Sequence, residues 1–193
     1  IMQHIRRWFA CLLTLTVLSV PAPVQSLYLA DGYGQHRAYV GLKLFRTLVT
    51  SDLGLHERIA QDQTLVFYLI HVNSDEDAQL YRQVLADSFE QLQNAKTRVE
   101  VVTLEELLAL PGKQIAGAFI TQPLNDDELK ALVAKSIAEP FVLFSPFEGD
   151  VEQGVLGGLS VQATVRPYIN LRTLKRSGLN IKSFYMKVAI QYE

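Results

Sequence analysis

The residue types that carry out most enzyme chemistry occur in this sequence without the spacing that catalysis or metal binding requires. His4 falls in a segment interpreted below as an export signal, and His36, His56 and His71 have no second histidine or cysteine two to four residues away. Cys11, the only cysteine, falls in the same export segment, which excludes disulfides and cysteine nucleophiles from the rest of the chain. The sequence therefore predicts no catalytic residue, no metal site and no cofactor, and favours a protein that is not an enzyme.

Two runs of carboxylates, at residues 75–77 and 126–128, have the composition of a cation or acid–base site. Each run follows a residue that caps helices well, Ser74 in the first case and Asn125 in the second. Carboxylates also stabilise the positive end of a helix, so we interpret both runs as helix starts. The glycines of residues 154–158 match neither phosphate-loop spacing and predict a tight bend or bulge instead.

Polar residues follow three apolar segments at what we expect to be one edge of a sheet. Asn73, Thr121 and Ser145 each come directly after such a segment. Open parallel sheets usually bind ligands at the carboxyl ends of their strands. The sequence therefore predicts a shallow pocket there, in which hydroxyls and backbone amides bind a small polar molecule.

An alternation of strands and helices positions these residues. Apolar segments rich in β-branched and aromatic residues predict buried strands at residues 65–72, 99–102, 115–120 and 141–144. Two further strands in close succession, at 155–161 and 164–169, predict an antiparallel pair. The predicted fold class is α/β, a three-layer sandwich with a mostly parallel sheet and an antiparallel strand pair at one edge.

Helical periodicity completes the prediction. The segment 27–35 is expected to be a lead-in with little structure, followed by a helix that ends near residues 51–52. A second helix is expected to bury Tyr81, Val84, Leu85, Ser88 and Leu92. Capping signals predict one helix from Thr103, one from Asn125 and a short one between Asn170 and Gly178. A final helix is expected over residues 181–190.

Residues 2–26 have the pattern of a secretory signal. Arg6 and Arg7 precede an apolar run of 13 residues, shorter than the ~20 that a membrane-spanning helix needs, and cleavage is expected after Ser26. The predicted mature protein is a single domain, residues 27–193, located in the periplasm. It carries 16 basic and 20 acidic residues, a net charge of −4 with no basic stripe, so no nucleic-acid partner is predicted.

The end of the sequence carries the most specific pattern. A Gly-Gly-Leu strand at 157–159, a strand ending in Ile-Asn at 165–170, and Gly-Leu-Asn-Ile-Lys-Ser at 178–183 before a last helix resemble the YfiR family of periplasmic proteins. The resemblance implies a negative regulator that binds the periplasmic domain of a membrane diguanylate cyclase, lowering cyclic di-GMP and biofilm formation. The best-known repressor of that family carries disulfide-forming cysteines tied to redox control, and residues 27–193 contain none. Thr50-Ser51-Asp52 stands near the place of the Trp-Pro that often closes the first helix in the family.

The same tail contains the candidate partner-binding residues Tyr185, Arg166 and Lys182. The alternative is that its aromatic residues all pack on the sheet and that its basic residues form a solvated surface. Two functions stay open: a YfiR-like repressor of a diguanylate cyclase or related signalling receptor, and a periplasmic small-molecule binding component of an uptake system. A small ligand and a second copy of the chain, forming a homodimer, are the other partners considered.

Overall fold

The protein is described here by a computed structural model that covers residues 24–60, 62–89, 92 and 96–193. Within these residues one sheet has the strand order β2-β1-β3-β4-β5-β6-β7. The strands are β1 (Thr64–His71), β2 (Lys96–Thr103), β3 (Gly117–Ile120), β4 (Val142–Phe144), β5 (Gly157–Val161), β6 (Val165–Asn170) and β7 (Ile190–Tyr192). Neighbouring strands are parallel except for the antiparallel β5–β6 pair. The predicted α/β fold class is confirmed.

Helices cover both faces of the sheet. They are α1 (Val24–Ser51), α2 (Glu76–Phe89), α3 (Leu104–Ala109), α4 (Asp126–Ala138), α5 (Leu171–Ser177) and α6 (Ser183–Val188). One hydrophobic core lies between the sheet and α1, α2 and α6, and a second lies between the sheet and α3 and α4. None of the helices in the described part of the chain combines the length and the apolarity needed to cross a membrane.

Strand β1 shows why the sheet is buried on both sides. Its alternate residues Leu65, Phe67 and Leu69 belong to the first core, and the residues between them belong to the second. All of these side chains are at most 4 % exposed. The continuous apolar run is therefore that of a central strand with helices on both faces, as the sequence predicts.

Helix α1 packs unusually close to the sheet. The Phe45 ring meets the rings of Phe119 and Phe144 at centroid distances of 5.7 Å and 6.0 Å. Glycines in the facing strands allow this approach: a Cβ added to Gly157 would lie 2.3 Å from Leu48 Cδ2. The position of α1 over the sheet thus depends on strand residues without side chains.

The predicted helix caps are confirmed. Thr103 and Asn125 each form a capping box with the glutamate three residues on, and Asn170 accepts a hydrogen bond from the Thr173 amide at 2.9 Å. Gly178 ends α5 with a φ of +70°, a conformation that favours glycine. The carboxylate runs at 75–77 and 126–128 lie at helix starts, as predicted.

Three expectations are corrected by the structure. The segment 27–35 belongs to α1, because its leucines and alanine favour a helix enough to outweigh glycines that cost about 1 kcal/mol each. Helix α2 ends at Phe89, before Leu92, and leaves Val84 38 % exposed. The predicted last helix is instead α6 followed by strand β7, which pairs with β6.

The export signal falls largely on residues 1–23, outside the described residues, and its expected cleavage point lies in the first turn of α1.

Candidate functional site

A cleft opens at the carboxyl edge of the sheet, beside the ends of β1 and β3. The helix that follows β1 covers one face of the sheet and the helix that follows β3 covers the other, so the two connections diverge at this point. Such a reversal creates the crevice in which open α/β sheets bind ligands. The cleft has a volume of about 320 Å³, and we call it the switch-point cleft. It is lined by Gly34, Gln35, Ala38, Asp77, Tyr81, Thr121, Gln122, Pro123 and Phe147.

Gln122 joins the two loops that form the mouth of the cleft. Its Oε1 accepts hydrogen bonds from the Val72 and Asn73 amides, both at 3.1 Å, and its Nε2 donates to the Ser74 carbonyl. One side chain therefore satisfies three backbone groups of the loop after β1. The sequence places Gln122 in the loop that follows a predicted strand and is expected at this edge, but gives no signal that its side chain joins two loops.

The structure places two of the three predicted ligand-binding residues at this edge. Thr121 lines the cleft, and its hydroxyl donates to the Ile70 carbonyl at 2.7 Å, which leaves the oxygen free to accept a hydrogen bond from a ligand. Asn73 is exposed on the neighbouring loop and reaches the cleft only through its amide contact with Gln122.

Ser145 does not face the cleft, which corrects its predicted role. It is fully buried, its hydroxyl donates to Asp150 at 2.5 Å, and it accepts a hydrogen bond from the Phe147 amide at 3.1 Å. Burial raises the pKa of Asp150, although the hydrogen bond from Ser145 acts in the opposite direction. Ser145 therefore fixes the loop after β4, which in turn carries Phe147 to the cleft wall.

Two residues of α2 give the cleft its charge and its phenol. Asp77 is the only charged side chain among the described residues that line it. Tyr81 is 3 % exposed, and its ring packs edge-on against Tyr39 with centroids 5.5 Å apart. Burial raises the pKa of the Tyr81 hydroxyl to about 12, with a further contribution from the charge of Asp77, so the phenol is neutral and can donate a hydrogen bond. The sequence interpretation had assigned both residues purely structural roles.

Two other cavities lie outside the switch-point cleft. One, of about 340 Å³, lies beside the β5–β6 pair and is lined in part by Arg37, whose guanidinium donates to the Pro146 and Leu159 carbonyls. The other, of about 580 Å³, lies beside the buried Arg58–Asp52 ion pair, where burial lowers the pKa of Arg58. The Arg58 charge is offset by Asp52, and the Arg37 side chain is held by backbone carbonyls.

The predicted partner-binding residues differ in their accessibility. Tyr185 is completely buried, so the expectation that it contacts a partner is corrected; its neighbour Phe184 is 72 % exposed. Arg166 and Lys182 are exposed, and they donate to the Val188 carbonyl at 2.9 Å and the Thr50 carbonyl at 3.0 Å. The alternative, that tail aromatics pack on the sheet, therefore holds for Tyr185 and not for Phe184.

Across residues 24–60, 62–89, 92 and 96–193, no three histidine, cysteine, aspartate or glutamate side chains come together in a way that could hold a metal ion. His71, at the end of β1, is half-buried, and its Nδ1 has no hydrogen-bond partner in this part of the chain.

No protein-family model and no curated protein match this sequence. Solved structures do share its fold. An ABC domain from Streptococcus pneumoniae in complex with L-Trp superposes with a TM-score of 0.51 and 10 % identity over 74 % of this chain and 61 % of its own. A ligand-free, open substrate binding protein with adhesive properties from Clostridium difficile superposes with a TM-score of 0.52 and 13 % identity, over 79 % of this chain and 59 % of its own. A conserved domain protein from Vibrio cholerae superposes with a TM-score of 0.50 and 9 % identity, over 73 % of this chain and 58 % of its own.

These similarities define a class of fold. The chain shares its α/β fold with these structures, and at 9–13 % identity the similarity shows the fold alone. The chain spans about three fifths of the length of those structures.

Proposed function

We propose that this chain is an exported, periplasmic binding protein that holds a small polar molecule in the switch-point cleft, as a component of an uptake system, without turning it over. The observation that carries the proposal is the position of the cleft at the reversal of strand order, where α/β folds bind their ligands. Its volume of about 320 Å³ suits a ligand the size of an amino acid. Of the proteins with a similar fold, one is an ABC domain in complex with L-Trp and another is a substrate binding protein.

The lining supports binding rather than turnover. Ala38, Pro123 and Phe147 provide apolar surface, while Thr121 and Tyr81 provide hydroxyls that can orient a ligand. Among the described residues of the lining there is no nucleophile paired with a base, which catalysis by covalent attack would need.

The proposal is tested by screening amino acids, amines, sugars and carboxylates against the protein by thermal shift and confirming each binder by calorimetry. Thr121→Val removes the hydroxyl of a residue that lines the cleft, while the Ile70 carbonyl keeps the hydrogen bond from the Thr121 amide. We expect this change to weaken binding by roughly tenfold, because a polar ligand group loses its partner. Thr47→Val, on the exposed side of α1, is the matched control and should leave binding unchanged. Binding that Thr121→Val does not affect, or a screen without binders, would contradict the proposal.

A second candidate function is regulation of a membrane diguanylate cyclase in the manner that the YfiR resemblance implies. The observation that favours it is the exposed apolar pair Phe184 and Val188, 72 % and 40 % exposed and one turn apart on α6. Lys182 and Lys187 are exposed and lie within two residues of this pair in sequence, so the surface fits an acidic periplasmic domain.

Cellular cyclic di-GMP measured with and without the gene tests this second candidate. We expect deletion to raise cyclic di-GMP, and Phe184→Ala to behave like the deletion because aromatic anchors dominate interfaces. Leu80→Ala, which removes an exposed apolar side chain from α2, is the matched control. An unchanged level in the deletion strain would rule out the regulatory function.

A further inference from the structure

The switch-point cleft has a negative charge in its described lining without a positive one, and this difference selects among ligands. The described residues that line it include one carboxylate, Asp77, and no lysine, arginine or histidine. Asp77 forms no salt bridge within the described part of the chain. A ligand carboxylate or phosphate would therefore enter beside a negative charge without a cation to pair with it.

The Tyr81 hydroxyl adds a second and independent observation. Tyr81 is 97 % buried (3 % exposed), and its hydroxyl has no hydrogen-bond partner among the described residues. Tyr81 also lines the cleft. A buried hydroxyl that lines a cavity and has no partner among the described residues is expected to meet a ligand group.

We infer that the ligand of the switch-point cleft carries a protonated amine and no anionic group. This inference rests on the proposed binding function. The ammonium of such a ligand has three donors, and the cleft offers three acceptors for them in the Asp77 carboxylate, the Thr121 hydroxyl oxygen and the Tyr81 hydroxyl oxygen. The ring of Phe147 in the same lining provides aromatic surface, which organic cations favour.

The neighbouring cation does not change this balance. Arg37 lies on α1 beyond the cleft, and its guanidinium donates to the Pro146 and Leu159 carbonyls on the side of the β5–β6 cavity. It is thus held by backbone oxygen atoms and is not part of the cleft lining. Among the described residues, Asp77 is the only charged side chain that lines the cleft.

The test compares ligands that differ only in charge. Butylamine, putrescine and phenethylamine are titrated into the full chain by calorimetry, each beside the alcohol and the carboxylate of the same carbon skeleton. We expect an amine to bind at least about tenfold more tightly than its alcohol, because charge-assisted hydrogen bonds are roughly twice as strong as neutral ones. The carboxylates should bind most weakly. Equal or tighter binding of an alcohol or a carboxylate would overturn the inference.

Variants connect the charge preference to one side chain. Asp77→Asn should weaken amine binding by about tenfold and leave alcohol binding unchanged. Asp75→Asn removes a charge from the same helix start but keeps an acceptor for the Gln79 side chain, and it should leave amine binding unchanged. Circular dichroism checks that both variants fold.

The outcomes separate this inference from the proposed function. A neutral or anionic ligand whose binding is weakened by Thr121→Val and not by Asp77→Asn would retain the cleft as a binding site and overturn the amine. Failure of every compound, in this series and in the wider screen, would overturn both.

Discussion

The close packing of α1 on β5 can be tested with Gly157→Ala. The added Cβ would lie 2.3 Å from Leu48 Cδ2 and 3.2 Å from Phe144 Cδ2, whereas carbon atoms pack at about 3.5–4.0 Å. The Leu48 methyl group would have to withdraw by more than about 1 Å, and Leu48 is completely buried. We expect the free energy of unfolding to fall by about 1–3 kcal/mol, the usual cost of overpacking a core.

A double-mutant cycle identifies the cause. Leu48→Ala alone should cost about 2–5 kcal/mol by leaving a cavity. In the double variant the new methyl group at position 157 occupies part of that cavity and no longer meets a leucine. The double variant should therefore be more stable than the sum of the two losses indicates, by about 1–3 kcal/mol.

Urea unfolding followed by far-UV circular dichroism measures all four proteins of the cycle; the single tryptophan, Trp8, lies in the predicted export signal and cannot report on the domain. Gly178→Ala is the matched control, because its cost of about 1 kcal/mol comes from a φ of +70° and no atom lies within 4 Å of the added Cβ. Its effect should add to that of Leu48→Ala. Additivity of Gly157→Ala and Leu48→Ala within about 0.5 kcal/mol would refute the packing argument.

Three further predictions concern buried polar groups. Arg58→Met leaves the buried Asp52 carboxylate without its cation and should cost about 3–5 kcal/mol in urea unfolding; a loss below about 1 kcal/mol would contradict this. Tyr185→Phe removes a buried hydroxyl without a hydrogen-bond partner, so the Tm should stay constant or rise, and a clear fall would reveal a missed partner. Burial raises the pKa of Asp150, so the folded state holds its proton more tightly than the unfolded chain, and stability should decline as pH rises from about 4 through that raised pKa. Asp150→Asn keeps an acceptor for the Ser145 hydroxyl and should remove this part of the decline, and an unchanged pH profile would contradict the assignment.

The sequence predicts those parts of the fold whose signals are local. The caps at Thr103, Asn125 and Asn170 and the apolar run of β1 each depend on residues within one turn or one strand, and each is confirmed. Strand β7 could not be predicted in this way. Ile190 and Tyr192 suit a helix face as well as a strand, and only their pairing with β6, about 22 residues earlier, decides between the two.

The same contrast between local and distant contacts decides which residues of the candidate site could be predicted from the sequence. Thr121 could be placed at the carboxyl edge because it directly follows a strand. Ser145 follows a strand in the same way, but its partner Asp150 draws its side chain into the core. Asp77 and Tyr81 carried capping and core signals that explained them fully, and only the packing of α1 against α2 shows that both also line a cleft.

The bridge formed by Gln122 makes the lengths of two loops depend on each other. An insertion after β1 would move the amides that this side chain holds, and an insertion after β3 would move the side chain itself. Relatives of this protein are therefore expected to keep both loops at fixed length or to change them together. Ligand preference would then diverge through single substitutions in the walls, at positions such as Gln35 and Asp77, while the backbone around the opening stays the same.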